Sequence, residues 1–445
     1  MYNEIKSADP EVFAAMEKEL DRQRYGLEMI PSENYTSEAV MEACGSIMTN
    51  KYSEGYPGRR YYGGNQFTDV VEKLAIGRCK ALFGVESVNV QPYSGSPANL
   101  AVYLSVCAPG DVIMGQDLYD GGHLTHGWKT SVTGRLFKSV QYHVKPDGYL
   151  NIEEVKTLAE QNKPVLMWVG STAYSREFPF KEFSEIADSV GAYLAADISH
   201  IGGLVAAGIH TSPVPYVHII TTTTHKTLRG PRAAMIMVTK KGLAKDPELS
   251  EKIDKTIFPG MQGGPHENTI AGIAIALKEA GTPEFKEYAK QIVKNSKALA
   301  AALMKNGFSI PTGGTDNHMM LVDLTPFGLG LGQFAQEALE FAGITINKNT
   351  VPGEKSSPFY PSGIRLGTPA LTTRGMKEPE MELIGNLISD VVKEIKNLSL
   401  PQDKEERKVY ISAFRQNMAQ NKNIEGLHAS VVELSKKFPL YPKLG

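Results

Sequence analysis

Short apolar runs alternate with segments of helical periodicity through much of the chain, and this alternation constrains the fold more than any other feature. Segments such as Pro97–Cys107 and Phe183–Val190 repeat apolar residues at helical spacing. Strands that alternate with helices form a mostly parallel sheet with helices on both faces. The sequence therefore predicts an α/β fold. The predicted buried strands are Asp111–Gly115, Val165–Gly170, Tyr193–Asp197, His218–Thr224 and Ala234–Val238.

The later part of the chain predicts a second, smaller domain. A length of 445 residues allows two domains with separate cores. Helical patterns over Ile270–Ala280 and Phe285–Lys305 flank a Gly-Thr-Pro break, and a strand-like run follows at His318–Leu324. We therefore expect an N-terminal arm over residues 1–20, a large domain over 21–281 and a small α+β domain over 282–445.

Charge and cysteine content argue against several other classes of protein. Lys and Arg number 47 and Asp and Glu 49, so the net charge of −2 offers no positive excess for nucleic acid. Cys44, Cys79 and Cys107 form no close pair, which argues against a disulfide scaffold or a thiolate zinc site. No apolar stretch approaches the roughly 20 residues that span a bilayer, and residues 1–20 lack a secretory-signal pattern. We expect a cytoplasmic protein that binds neither nucleic acid nor membranes.

A lysine and an aspartate at predicted strand ends point to cofactor chemistry. The carboxyl ends of neighbouring parallel strands meet at one edge of a sheet, where ligands bind. Lys226 follows four threonines and His225, where desolvation would lower the lysine pKa and favour a Schiff base. Asp197 ends an apolar run, and a buried carboxylate needs a partner or a function. These are the two protein groups that pyridoxal phosphate (PLP) requires. Taken alone, Lys226 would be interpreted as an ordinary exposed loop lysine, and it is Asp197 that favours the cofactor hypothesis.

The segment Ser94–Ser96 is a candidate phosphate site. It precedes a predicted helix, and serine hydroxyls together with helix N-terminal amides bind anions. Pro97 suits the first turn of that helix. A simple helix N-cap is the alternative interpretation of the same residues.

Two histidines in Gly121–Gly127 (GGHLTHG) offer further chemistry. The ring of His123 could stack on a cofactor ring. His123 and His126 also have a spacing of three that suits metal ligands, but no third ligand follows at a suitable distance along the chain. We therefore expect no metal site.

Longer blocks of the sequence resemble the serine hydroxymethyltransferase family of fold-type I PLP enzymes. The resemblance extends from about Glu17 to the last helices, with the blocks in the same order. Among them are NKYSEGYPGRRYYGG (Asn50–Gly64), QPYSGSPAN (Gln91–Asn99), TTTTHKTLRGPR (Thr221–Arg232) and SGIRLGTPALTTRG (Ser362–Gly375). The resemblance implies reversible transfer of the hydroxymethyl carbon of L-serine to tetrahydrofolate, giving glycine and 5,10-methylenetetrahydrofolate.

The resemblance also implies a role for each candidate residue. In catalysis it implies Lys226, which would bind PLP covalently, with Glu54 as the acid/base, His123, Asp197, His200 and Tyr62. In PLP binding it implies Ser94, Gly95, Ser96, His123, Thr172, Asp197, His200, Thr223, His225 and Lys226, with Tyr52, Gly263 and Gly264 from a second subunit. In substrate binding it implies Ser32, Glu54, Tyr62 and Arg365, and for folate Leu118, Gly122, Leu124, Asn349, Ser357, Pro358 and Phe359.

Because Tyr52, Glu54 and Tyr62 would serve a neighbour's site, the resemblance implies a homodimer with shared active sites. It leaves open whether two dimers associate into a tetramer. Serine, glycine and tetrahydrofolate are the small-molecule partners that it implies.

Some positions depart from the family pattern and keep other functions open. Tyr93 stands where histidine is usual, and Trp128 lies in a changed run near the expected folate site. A folate-independent β-hydroxy-amino-acid aldolase or threonine transaldolase is therefore the second hypothesis. Glu54 and the run Ser357-Pro358-Phe359 favour the folate reaction. A catalytically inactive scaffold is the third hypothesis, which the intact Lys226 disfavours.

Overall fold

The computed structural model describes residues 3–396 and 398–444, which divide into two compact units. One unit comprises Asn34–Lys290. The other combines the residues up to Glu33 with those from Gln291 onward. The domain limits that the sequence suggests at residues 20 and 281 stay a prediction.

The Asn34–Lys290 unit is built around a seven-stranded sheet. Ala234–Val238 runs antiparallel to both of its neighbours, whereas the other strand pairs are parallel. The prediction of an α/β fold with a mostly parallel sheet is confirmed. Across the sheet, the strands are Ser87–Asn89, Ala234–Val238, Ile219–Thr223, Tyr193–Asp197, Leu166–Val169, Val112–Gln116 and Lys138–Tyr142.

Helices connect and cover these strands. Gly95–Val106 packs against Ala234–Val238 and Ile219–Thr223, while Phe180–Val190 packs against Tyr193–Asp197. Trp168 and Tyr103 are fully buried at the core of this unit. The α-helices of the unit are Glu38–Cys44, Gln66–Phe83, Gly95–Val106, Val132–Leu136, Ile152–Asn162, Phe180–Val190, Gly202–Ala206, Lys240–Lys245, Leu249–Lys255 and Glu267–Ala280, followed by Pro283–Lys305, which continues into the other unit.

The second unit has its own antiparallel sheet and its own core. Gly363–Gly367 lies between Met319–Asp323 and Asn347–Asn349. A separate parallel pair joins Leu27–Glu28 to Ile344–Thr345. Its further α-helices are Asn3–Ala8, Pro10–Tyr25, Gly332–Phe341, Pro369–Thr373, Glu378–Lys393, Lys404–Ala419 and Lys422–Lys436. In the described part of the chain, no helix is both long and apolar enough to cross a membrane.

Candidate active site

A cavity in the Asn34–Lys290 unit collects the polar residues that follow the central strands. The cavity itself has a volume of about 20 Å³, and it opens to solvent. The polar ends of three parallel strands meet here, as the polar runs after those strands suggest. Its lining residues are Gly95, His123, His126, Ser171, Thr172, Asp197, Ser199, His200, Thr223 and Lys226.

Lys226 lies on the loop that joins the antiparallel strands Ile219–Thr223 and Ala234–Val238, and its side chain is buried. The Gly230 amide donates to the Thr224 carbonyl at 2.7 Å and closes the loop. A Cβ at position 230 would lie 2.8 Å from that carbonyl oxygen, so the turn requires glycine. The side-chain amide of Asn34 donates to the Lys226 carbonyl at 2.9 Å. The backbone that carries Lys226 is therefore fixed from both sides.

Asp197 ends a central strand and is held in its ionised form. Its Oδ2 accepts from Asn99 Nδ2 at 2.8 Å and lies 3.3 Å from His126 Nε2, while its Oδ1 accepts from the Ser199 amide at 3.0 Å. Burial acts to raise the pKa of Asp197, but the hydrogen bond from His126 and the interactions with His126, His123 and Lys226 outweigh it and hold the pKa well below its usual range. A carboxylate with these properties can bind a protonated ring nitrogen.

His123 presents a neutral ring to the cavity. Burial, with a contribution from His126, lowers the pKa of His123 to about 4. Its Nδ1 lies 2.7 Å from Thr125 Oγ1, and Thr125 in turn accepts from Asn99. The His123 amide points at Nδ1 of His126 at 3.3 Å, which places the His126 proton on Nε2, facing Asp197. One hydrogen-bond network thus orients both rings and the carboxylate.

The start of helix Gly95–Val106 suits a phosphate group. Ser94 precedes the helix, and its side chain makes no capping hydrogen bond. The amides of Gly95 and Ser96 belong to the first turn, where backbone donors bind anions. A Cβ at position 95 would lie 2.8 Å from Thr223 Cγ2, so only glycine leaves this edge of the cavity open. Together with Lys226 and Asp197, these residues fit PLP.

One comparison decides the family. The family model for serine hydroxymethyltransferase matches residues 5–388 of the 445. The chain belongs to this family. Its members are PLP-dependent glycine hydroxymethyltransferases of one-carbon metabolism, and they act on serine, glycine and tetrahydrofolate.

The family match also establishes the activity and the cofactors of this chain. It transfers the hydroxymethyl carbon of L-serine to tetrahydrofolate, binds PLP covalently through a lysine and is oligomeric, as family members are. The predictions of fold-type I architecture, enzyme class and cofactors are confirmed. The match gives no support to a folate-independent aldolase or transaldolase.

A second group of predicted residues lies together on the same unit. Tyr52 Oη donates to Glu54 Oε1 at 3.1 Å, and this hydrogen bond raises the pKa of Tyr52. The Tyr62 ring meets the Tyr52 ring edge-on at 5.0 Å. A Cβ at Gly263 would lie 3.2 Å from Glu54 Oε1, and one at Gly264 would lie 3.6 Å from the Tyr52 ring. The five residues expected to serve a neighbour's site are therefore one cluster.

Tyr93, which departs from the family pattern, supports the Gly263–Gly264 turn. Its Oη donates to the Gly264 carbonyl at 2.8 Å, and its ring stacks on His266 at 4.2 Å with an angle of 4° between the planes. The hydroxyl of tyrosine thus provides a hydrogen bond directly to the turn. Because Ser94 follows in the chain, the turn is also tied to the start of the phosphate segment.

The remaining PLP-site candidates occupy different positions. Thr172 Oγ1 donates to the Gly121 carbonyl at 3.0 Å, and the Thr223 amide donates to Ser199 Oγ at 3.0 Å. His225 is not among the residues that line the cavity, and its Nδ1 is buried without a hydrogen-bond partner. Burial lowers the pKa of His225 to about 3, so its ring is neutral.

The candidate carboxylate site lies in the other unit. Arg365 is buried in strand Gly363–Gly367, and its Nε donates to Asn347 Oδ1 at 3.1 Å. Burial lowers the pKa of Arg365 to about 10, which leaves the guanidinium charged at neutral pH. The Gly367 amide donates to the Met29 carbonyl at 2.8 Å, so the segment that leads to half-buried Ser32 lies against this strand.

The folate candidates are divided between the two units. Gly122 is buried, and its amide donates to the Asp117 carbonyl at 2.7 Å, whereas Leu124 is exposed and Leu118 half-buried. In the other unit, Asn349 ends a strand and its side-chain amide donates to the Thr350 carbonyl at 2.8 Å. The exposed turn there comprises Ser357, Pro358 and Phe359.

Sequence reasoning assigned no such role to some residues in or beside the cavity. Asn99 ends the block Gln91–Asn99, but nothing in the sequence indicates its hydrogen bond to Asp197, which is 98 positions away. The sequence indicates His126 only as a possible metal ligand. The fold brings Asp197 within 4.8 Å of both histidines, so a third group exists that spacing along the chain could not show. Those atoms already take part in the network around Asp197.

A buried glutamate supports the loop that carries Glu54. Ser53 Oγ donates to Glu267 Oε1, and Oε2 of Glu267 is buried without a hydrogen-bond partner. Burial and the neighbouring Glu72 raise the pKa of Glu267 to about 7, although Arg60, 3.8 Å away, opposes that shift. Glu267 therefore changes its charge near neutral pH.

Glu267→Gln is expected to change how stability depends on pH. The ordinary pKa is 4.5, so between pH 4.5 and 7 the folded chain keeps a proton that the unfolded chain has lost. The free energy of unfolding therefore falls as the pH rises through this window, by about 3 kcal/mol for such a difference in pKa. The variant lacks this loss. Urea unfolding at pH 5 and pH 8 measures it, with the exposed Glu340→Gln as control. A difference from wild type that is the same at both pH values would contradict the prediction.

Proposed function

We propose that the cavity around Lys226 and Asp197 is the active site for hydroxymethyl transfer. The observation that carries this proposal is the meeting of a buried lysine, an ionised aspartate and a neutral histidine ring beside a helix N-terminus. Those are the groups that would bind, protonate and cover the PLP ring and bind its phosphate.

The residues that would hold PLP have separate tasks. PLP, when bound, supplies an acceptor for the electron pair left at the substrate Cα. Lys226 holds it covalently, and Asp197 keeps a proton at the ring nitrogen. His123 covers one face of the ring. Thr172 and His200 would contact the phenolic oxygen of PLP. The phosphate is bound by Ser94, Gly95 and Ser96, and Thr223 lines the cavity beside Gly95. His225, which does not line the cavity, precedes Lys226 in the chain.

The amino acid and the one-carbon unit are handled by other residues. Arg365, with Ser32, binds the substrate carboxylate, because the planar guanidinium matches two carboxylate oxygens. This fixes which bond at Cα breaks. Glu54 holds or moves the proton at the substrate hydroxyl, and Tyr62 covers the site. The folate is bound by Leu118, Gly122, Leu124, Asn349, Ser357, Pro358 and Phe359.

We further propose a cytoplasmic homodimer with shared sites. An exposed apolar surface supports the dimer, since contiguous apolar patches mark interaction sites. Phe67, Val70 and Leu74 lie on one face of helix Gln66–Phe83, and Tyr52 and Tyr62 are exposed beside the start of this helix. Tyr52, Glu54, Tyr62, Gly263 and Gly264 would then reach the partner's cavity.

Arg365→Lys is expected to raise the KM for serine about 10- to 100-fold, because lysine cannot make two parallel hydrogen bonds to the substrate carboxylate. The visible absorbance of bound PLP should stay as in wild type, because Lys226 and Asp197 are untouched. Conversion of serine to glycine with tetrahydrofolate measures the effect. Arg415→Lys, whose guanidinium binds Glu337 at the surface, is the matched control. An unchanged KM for serine would contradict the assignment of Arg365.

A further inference from the structure

The loop that carries Glu54 is a short hairpin. Gly55–Tyr56 pairs antiparallel with Arg59–Arg60, and the Glu54 carbonyl accepts from the Tyr61 amide at 3.0 Å. Gly55 has a φ of 95°, and a Cβ there would collide with the Arg59 carbonyl. The backbone on the C-terminal side of Glu54 therefore has one defined path.

Arg60 binds the backbone of this hairpin and connects it to a helix. Its Nη1 donates to the carbonyls of Ser53 at 2.8 Å and Gly55 at 2.9 Å, the residues on either side of Glu54. Its Nη2 donates to Glu72 Oε2 at 2.6 Å, and its Nε donates to Asp69 Oδ1 at 2.9 Å. One guanidinium thus joins both neighbours of Glu54 to helix Gln66–Phe83.

Burial makes these contacts mutually dependent. The side chain of Arg60 is 4% exposed and that of Glu72 is 1% exposed. Charges so far from water persist only when their partners are in place. Gln91 Nε2 closes the arrangement by donating to the Gly55 carbonyl at 2.9 Å and to Glu72 Oε1 at 2.8 Å. Displacing Arg60 would therefore release the backbone next to Glu54.

We propose that Arg60 is a positioning residue that sets the orientation of Glu54. The inference rests on the proposed acid/base role of Glu54. The planar guanidinium of Arg60 holds the carbonyls of Ser53 and Gly55. It thereby fixes the direction in which the Glu54 side chain leaves the backbone. Lysine keeps the charge but cannot make four hydrogen bonds in a planar fork.

Arg60→Lys tests this role in the PLP-loaded enzyme. We expect kcat for serine conversion to fall about 10- to 100-fold, because small misplacements of a reacting group have effects of this size. The KM for serine and the visible absorbance should stay close to wild type. Arg59→Lys, at the exposed neighbouring position, is the matched control and should keep full turnover. An unchanged kcat in Arg60→Lys would overturn the inference. If Arg60→Lys does not fold, Glu72→Gln, which removes the charged partner of Arg60, is measured in the same way.

A double variant separates positioning from a general structural effect. Combined with Glu54→Gln, Arg60→Lys should cause no further loss of kcat, because residues that act through one another are not additive. The same fold-loss in both backgrounds would overturn the inference and leave the role of Glu54 intact. Full turnover of Glu54→Gln alone would instead overturn the acid/base role, and the positioning role with it.

Discussion

Asp197→Asn is expected to lower kcat for serine conversion by about 10²- to 10³-fold, the usual cost of removing a preorganised electrostatic group. Asparagine has nearly the same shape, but it lacks the negative charge that keeps the ring nitrogen of PLP protonated. It also presents an amide to Asn99 and His126, which donate to the carboxylate in wild type. Both the charge and the network around it are therefore lost.

Turnover and absorbance together measure the effect of Asp197→Asn. Because Lys226 is intact, the visible absorbance of covalently bound PLP should remain, although kcat falls. Asp188→Asn, at an exposed position of the same unit, is the control for a general effect of neutralising an aspartate. Turnover within a few-fold of wild type would show that Asp197 does not have the proposed role.

The strands illustrate what local pattern can predict. Tyr193–Asp197 and Ala234–Val238 have the same bounds in the sequence prediction and in the structure, because strands buried in the middle of a covered sheet are continuous apolar runs. The sequence pattern does not predict strand Lys138–Tyr142, since this edge strand is half-exposed and has a polar sequence. Ser87–Asn89 has three residues, which is too short to give a pattern.

Contacts between distant segments mark the limit of sequence reasoning. Leu27–Glu28 pairs with Ile344–Thr345, and no local periodicity reveals such a partner. The sequence indicates Asp197 and Lys226 as site residues, because both follow predicted strands and ligands bind at the carboxyl ends of parallel strands. The loop with Glu54 gave no such signal, and only the family resemblance pointed to it. Its dependence on Arg60 follows from hydrogen bonds that the fold alone creates.

Lys226→Ala and Glu54→Gln are each expected to abolish nearly all conversion of serine to glycine, but a mixture should regain activity. In a dimer with shared sites, a hybrid of the two variants has one site with both substitutions and one with neither. Random exchange in an equal mixture makes half of the dimers hybrids, so about a quarter of all sites regain wild-type residues in a twofold-symmetric assembly. The exposed positions of Tyr52 and Tyr62 beside Glu54 are the reason to expect sharing.

Exchange of subunits has to be verified separately, by mixing tagged and untagged chains and isolating the hybrids. Lys226→Ala mixed with Asp197→Asn is the matched negative control, because both substitutions lie in the same cavity. A hybrid of these two would keep one substitution in each site and gain nothing. Recovery in the first mixture and none in the second would assign Glu54 to the neighbour's cavity. No recovery in either mixture, with exchange verified, would mean that each chain completes its own site, in line with the hydrogen bond between Tyr93 and Gly264 within one chain.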